Sequence, residues 1–111
     1  MTRVVLRDTR DASGTRFLEA RLDADGTLRI EGQDLGPGVS AAFGADLTEY
    51  EWWWRLPAAD VPWAIAVLGG EPGDAPLPVI HRWFEANGGR DPGSALRSAG
   101  LPIEFDNRIG D

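Results

Sequence analysis

The sequence predicts an α+β fold: an antiparallel sheet of four to five strands with two or three helices packed on one face. Three observations predict it. The first half of the chain alternates apolar and polar residues with a period of two, broken by turn residues. The second half carries apolar residues at helical spacing between proline starts and glycine stops. Strands come first and helices later, an order that favours an antiparallel sheet with helices segregated to one side.

The elements follow in chain order. "RVVLR", residues 3–7, reads as a short strand rich in β-branched residues, and "TRDASG" reads as a turn. In "RFLEARL", Leu18, Ala20 and Leu22 alternate against Phe17, Glu19 and Arg21. "TLRIEG" sets Leu28 and Ile30 against Arg29 and Glu31, and "DADG" between the two runs has hairpin-turn composition. "GQDLGPGVSAAFGADLT" is expected to be loop, with one helical turn around Val39 to Phe43. "EYEWWWRL" is the next strand, ended by Pro57, which cannot donate to a ladder.

Three helices are then expected. Asp60 caps the first, Pro62 sits in its opening turn and Gly69 stops it; Val61, Ile65 and Leu68 form its stripe. Asp74 is placed to cap the second, whose apolar side carries Leu77, Ile80, Trp83 and Phe84. Asp91, Pro92 and Gly100 punctuate the third. "LPIEFDNRI" closes the chain as a strand with Ile103 and Phe105 on one face.

The 111 residues fit one domain, 1–111, and 42% hydrophobic with 26% charged residues is globular composition. The net charge of -7 disfavours nucleic acid and anionic membranes and makes a basic surface the natural electrostatic partner. All 11 basic residues are arginine, so lysine Schiff-base and P-loop mechanisms are closed. Without cysteine there are no disulfides, thiolate zinc sites or thiol nucleophiles. The amino terminus turns charged after six residues, unlike a signal peptide, and no apolar run approaches a membrane span, so a cytoplasmic location is expected.

Catalytic motifs fail on inspection. "DADGT", Asp23 to Thr27, looks like the D-x-D-G-T signature of haloacid-dehalogenase-type phosphatases. That family needs a continuous apolar strand before the motif, a basic residue that is usually lysine, and a longer chain. As an EF-hand loop with Gly26 sixth, the stretch begins on Arg21 and ends on Gly32, and both ends fail. His81 is the single histidine, and Glu85 four residues on makes it a surface pair rather than a base. No serine lies in a nucleophile elbow. No catalytic residue, metal ligand or cofactor is expected, and the reading leans away from an enzyme.

In the strand Glu49–Leu56, Tyr50, Trp52, Trp54 and Leu56 share one face, and Glu49, Glu51, Trp53 and Arg55 share the other. The first set belongs to the core. Trp53 is left on the charged face, where Arg29 or Arg21 on a neighbouring strand is expected to stack on it. Trp63 falls off the stripe of its helix. The expected binding residues are therefore Trp53, Trp63, Arg55, Glu51 and Arg29.

"LRIEGQDLGPGV", "YEW" and "LPAADVP" together resemble a pattern in small acidic proteins of high-GC actinobacteria. The resemblance implies no activity and no site residues. The function expected from the residues is a non-catalytic protein-binding module, immunity-like in its size and acidity, presenting an acidic sheet face with aromatic anchors. Two alternatives stand beside it. One is a small-molecule binder or enzyme with a pocket between sheet and helices, lined by Trp52, Trp54, Trp63 and His81. The other is a homodimer of structural role.

Overall fold

The structure, a computed structural model, describes residues 2–44 and 46–110. Ala45, in the stretch expected to be loop, lies outside them. Five strands, β1 (Thr2–Asp11), β2 (Gly14–Leu22), β3 (Leu28–Leu35), β4 (Glu49–Leu56) and β5 (Glu104–Gly110), form one sheet. Their spatial order is their chain order, and every neighbouring pair is antiparallel. Helix α1 (Pro37–Phe43) joins β3 to β4. A 3-10 turn (Ala58–Asp60) and α2 (Val61–Val67), α3 (Pro76–Ala86) and α4 (Pro92–Ser98) fill the connection from β4 to β5. The fold is α+β as expected, with one helix more than the count of two or three.

The β2–β3 hairpin is built by its polar residues. Gly26 turns the chain at φ 88, which favours glycine. The Asp25 carboxylate accepts from the Thr27 N–H at 2.9 Å, and Asp23 accepts from the Arg29 Nε at 2.6 Å. Both aspartates of the "DADG" run are thus occupied in holding the turn.

Several boundaries differ from expectation. β1 runs to Asp11 because it pairs with β2 along its whole length, with a bulge between Val5 and Arg7. The stretch Gly32–Leu35, expected to be loop, continues β3 opposite Trp52 to Glu49. Tertiary pairing there overrides the low strand propensity of Gly32 and Asp34. Asp74 does not cap α3; its carboxylate accepts from the Glu71 N–H at 2.8 Å, and Pro76 opens the helix after Ala75. Asp60 stands at the N-cap of α2 without a side-chain cap bond. Ile103 is buried just before β5, and Phe105 packs against Trp54 inside it.

The core lies between the sheet and α2–α4. It joins Leu18, Ala20, Leu28, Ile30, Trp52, Trp54 and Leu56 from the sheet to Ile65, Leu68, Ile80, Phe84 and Leu96 from the helices. The pairing register aligns these sheet residues in rows, Ala20 beside Ile30 beside Trp54, and Leu22 beside Leu28 beside Leu56. At the β1 bulge the Arg7 guanidinium turns to the helix layer, donates to the Gly89 carbonyl and lies 5.4 Å from the Phe84 ring centroid.

Asp91 fixes the two core tryptophans. As N-cap of α4 it accepts from the Gly93 N–H through Oδ1 at 2.8 Å. Through Oδ2 it accepts from Trp52 Nε1 at 2.9 Å and from Trp54 Nε1 at 3.1 Å. Both buried indole donors are satisfied by one carboxylate. Each ring also lies on a glycine: a Cβ on Gly32 would fall within the Trp52 ring, and one on Gly93 within the Trp54 ring. A tyrosine stack extends the set, with Tyr50 and Trp52 ring centroids 5.2 Å apart.

Candidate functional site

The sheet face away from α2–α4 carries three charged rows that cross the strands. Arg3, Arg21, Arg29 and Arg55 stand in one row, ended by Glu104 on β5. Val5, Glu19, Glu31, Trp53 and Asp106 form the next. Asp8, Phe17, Gln33, Glu51 and Arg108 form the third. Like charges directly opposite one another destabilise a sheet, so the arginine row depends on its carboxylates. Arg3 pairs with Glu19 at 3.4 Å, Arg21 with Glu31 at 3.3 Å, Arg29 with Asp23 at 2.6 Å and Arg55 with Glu104 at 2.9 Å. Asp23 holds the Arg29 guanidinium more firmly charged than usual, chiefly through their hydrogen bond. The expected acidic face is therefore a mixed one in which each of these arginines is partnered.

Trp53 stands half-buried in the middle row, with Glu31 and Asp106 as its direct cross-strand neighbours. The expected cation–π stacking by Arg29 or Arg21 does not occur. Those arginines occupy the adjacent row, where ion pairs with Asp23 and Glu31 fix them. Cation–π contacts among the described residues join Arg7 to Phe84 and Arg97 to Trp54 and Phe105. One side of the Trp53 ring instead borders an open groove of about 360 Å³, with Arg29, Arg55, Glu104, Phe105 and Asp106.

Three of the expected binding residues, Trp53, Arg29 and Arg55, thus meet in one groove. Glu51 lies one row away, outside the groove lining. It sits beside Glu49, and a hydrogen bond between the two side chains, with desolvation and mutual repulsion, lifts its carboxyl above the usual range against the pull of Arg108. Trp63 is not part of the site. It is 47% exposed on α2, which covers the other face of the sheet. Sequence reasoning missed Glu104 and Asp106, which only the β4–β5 register brings to the groove. It also left out Phe17, a half-buried ring on the same face whose alternation against Leu18 was its signal.

The pocket expected between sheet and helices loses its lining. Trp52 and Trp54 are buried and their N–H groups are spent on Asp91. His81 is bound at 2.6 Å to Glu85 on the outer side of α3. A separate hollow of about 270 Å³ lies beneath α1, lined in part by Arg16, Asp34, Val39 and Phe43. It falls below the size of ordinary ligand sites, roughly 300–1,000 Å³. Among the described residues no group of three or more His, Asp or Glu side chains is placed to hold a metal ion, and no helix is long and apolar enough to cross a membrane. The chain matches no family model, no curated protein and no solved structure.

Proposed function

We propose that the chain is a non-catalytic protein-binding module that docks through the open face of its sheet. The observation that carries this reading is the groove beside Trp53, where an indole and two arginines border the same opening. Tryptophan and arginine are the residues most enriched among interface hot spots. Arg29 and Arg55 are held in place by carboxylates, so little side-chain entropy is lost when a partner packs against them. The net charge of -7 favours a partner with a basic surface and would speed encounter in a salt-dependent way. A toxin-neutralising immunity protein is one concrete form of this reading, supported by size and acidity.

The test is capture of partners from native lysate with wild-type chain and three variants. A partner that acts through this face is retained by the wild type and by Trp63→Ala, and lost by Trp53→Ala and by Arg55→Ala. Its retention falls as salt rises. Equal capture by all four chains, or loss only with Trp63→Ala, would overturn the reading.

A further inference from the structure

We propose that two copies of this chain join edge to edge through β5, in a single register centred on Asn107, to make one continuous antiparallel sheet. β5 is an edge strand of seven residues whose outer side has no strand neighbour among the described residues. The opposite edge, β1, is interrupted by its bulge, a common device against strand addition. β5 pairs with β4 from Glu104 to Gly110 without such a break.

A two-fold axis perpendicular to the sheet places β5 antiparallel to its copy and keeps helix-side residues opposite helix-side residues. Only registers centred on a residue satisfy this, and charge together with apolar matching selects among them. Centred on Asp106, the pairing sets Glu104 opposite Arg108 of the copy, twice, but holds the two Asp106 carboxylates against each other on the axis and sets apolar Phe105 opposite Asn107. Centred on Arg108, it sets the two guanidiniums against each other. Centred on Asn107, it places Asp106 opposite Arg108 of the copy, twice, on the open face. On the helix side it places Phe105 opposite Ile109, twice. Ile109 is 40% exposed and Phe105 is only partly buried, so both have apolar surface to lose. Asn107 meets its own copy on the axis, where each amide carries both a donor and an acceptor. Charges on an edge strand ordinarily prevent pairing. Here the like charges on the axis disfavour the registers centred on Asp106 and Arg108, and forming the Asn107 register exchanges the 2.8 Å bond from the Asn107 N–H to the Asp106 carboxylate for bonds to the copy, as an isologous contact requires. The inference is independent of the docking reading for Trp53.

Sedimentation measured over a range of concentrations tests it. The expected result is a shift of the wild type from 12.0 kDa toward twice that mass as concentration rises. Arg108→Asp places carboxylates opposite Asp106 and is expected to weaken dimerisation at least tenfold. The double reversal, Asp106→Arg with Arg108→Asp, restores the pairing and the dimer. Circular dichroism confirms that each variant is folded. Asn107→Cys, in a chain with no other cysteine, is expected to form a disulfide-linked dimer on mild oxidation, whereas Thr9→Cys on β1 is not. That measurement needs no charge change. A wild type monomeric at every concentration overturns the proposal. So does a dimer indifferent to Arg108→Asp, a double reversal that stays monomeric, or equal crosslinking at positions 107 and 9.

Discussion

Trp52 and Asp91 lie 39 residues apart in the chain and share a hydrogen bond of 2.9 Å. The same carboxylate oxygen also receives the Trp54 indole, and its partner oxygen caps α4. This joint links the central part of the sheet to the last helix before β5. It also explains the run of three tryptophans. Alternation along β4 sends the two outer indoles to the helix layer, where one acceptor serves both. The middle ring is left on the opposite face.

Replacing Asp91 is expected to destabilise the fold more than loss of a helix cap does. Asp91→Ala leaves two indole donors and one backbone donor without a partner. An unsatisfied buried donor costs about 1–3 kcal/mol and a lost cap about 1 kcal/mol. These terms overlap, so we expect about 3–4 kcal/mol in urea denaturation. Asp91→Asn is expected to cost nearly as much. Its amide keeps one acceptor oxygen for three donors and directs an NH2 group at the others. A loss below about 1 kcal/mol for both variants would show that the indoles find other acceptors.

Gly32 and Gly93 are expected to tolerate no side chain. Gly32→Ala pushes a methyl into the Trp52 ring and Gly93→Ala into the Trp54 ring. Overpacking of this kind costs about 1–3 kcal/mol, and the upper end applies because each ring is also tied to Asp91. Denaturant midpoints for the two variants, with near-ultraviolet circular dichroism to follow the indoles, check this.

These two glycines mark where the sequence stops being legible. The alternation of "EYEWWWRL" correctly divides the rings, and β4 has the expected bounds of Glu49 to Leu56. Such assignments succeed because periodicity is local. Gly32 instead ends the alternating run "TLRIEG" and opens the stretch that reads as loop. In fact Gly32 supports a strand, because an indole from β4 occupies its missing side-chain volume. Asp91 is legible as a cap, but its second role depends on strands nearly forty positions earlier. The groove follows the same rule. Trp53, Arg55 and Arg29 come from the alternation pattern, whereas Asp106 joins them only through a pairing register across three intervening helices.

Asp34 is expected to make stability fall slightly as pH rises from acid to neutral. Its burial lifts the carboxyl above the usual range, against the opposing pull of Arg16 and Arg7. The folded state therefore holds this proton more tightly than the unfolded chain. Its contribution is full below the unfolded carboxylate range and is lost as pH rises through the folded value. Asp34→Asn removes the ionisation, so the variant should gain relative to wild type at neutral pH. The side chain is partly exposed, which keeps the gain under about 1 kcal/mol. Asp11 and Asp25 act in the opposite sense. Hydrogen bonds from Ser13 and Thr27 hold their carboxyls below the usual range, so their contribution is lost as pH falls through the folded values. Urea melts of wild type and Asp34→Asn at pH 4 and pH 7 separate the two effects.

The adjacent tryptophans of β4 are expected to differ sharply in what their removal costs. Trp54 is 7% exposed, lies 4.4 Å from the Phe105 ring centroid and donates to Asp91. Trp54→Ala empties a large volume beside Gly93 and strands part of the Asp91 network, and truncations of this type cost about 3–5 kcal/mol. Trp53→Ala removes a half-buried ring from a face open to solvent, where Glu31 and Asp106 can rehydrate, and is expected to cost under about 1 kcal/mol. Its indole fluorescence should also be quenched more readily by iodide or acrylamide than that of the core rings, which the single variants resolve. A Trp53→Ala cost approaching that of Trp54→Ala would mean that the ring is structural, and that the open face has no free anchor to offer a partner.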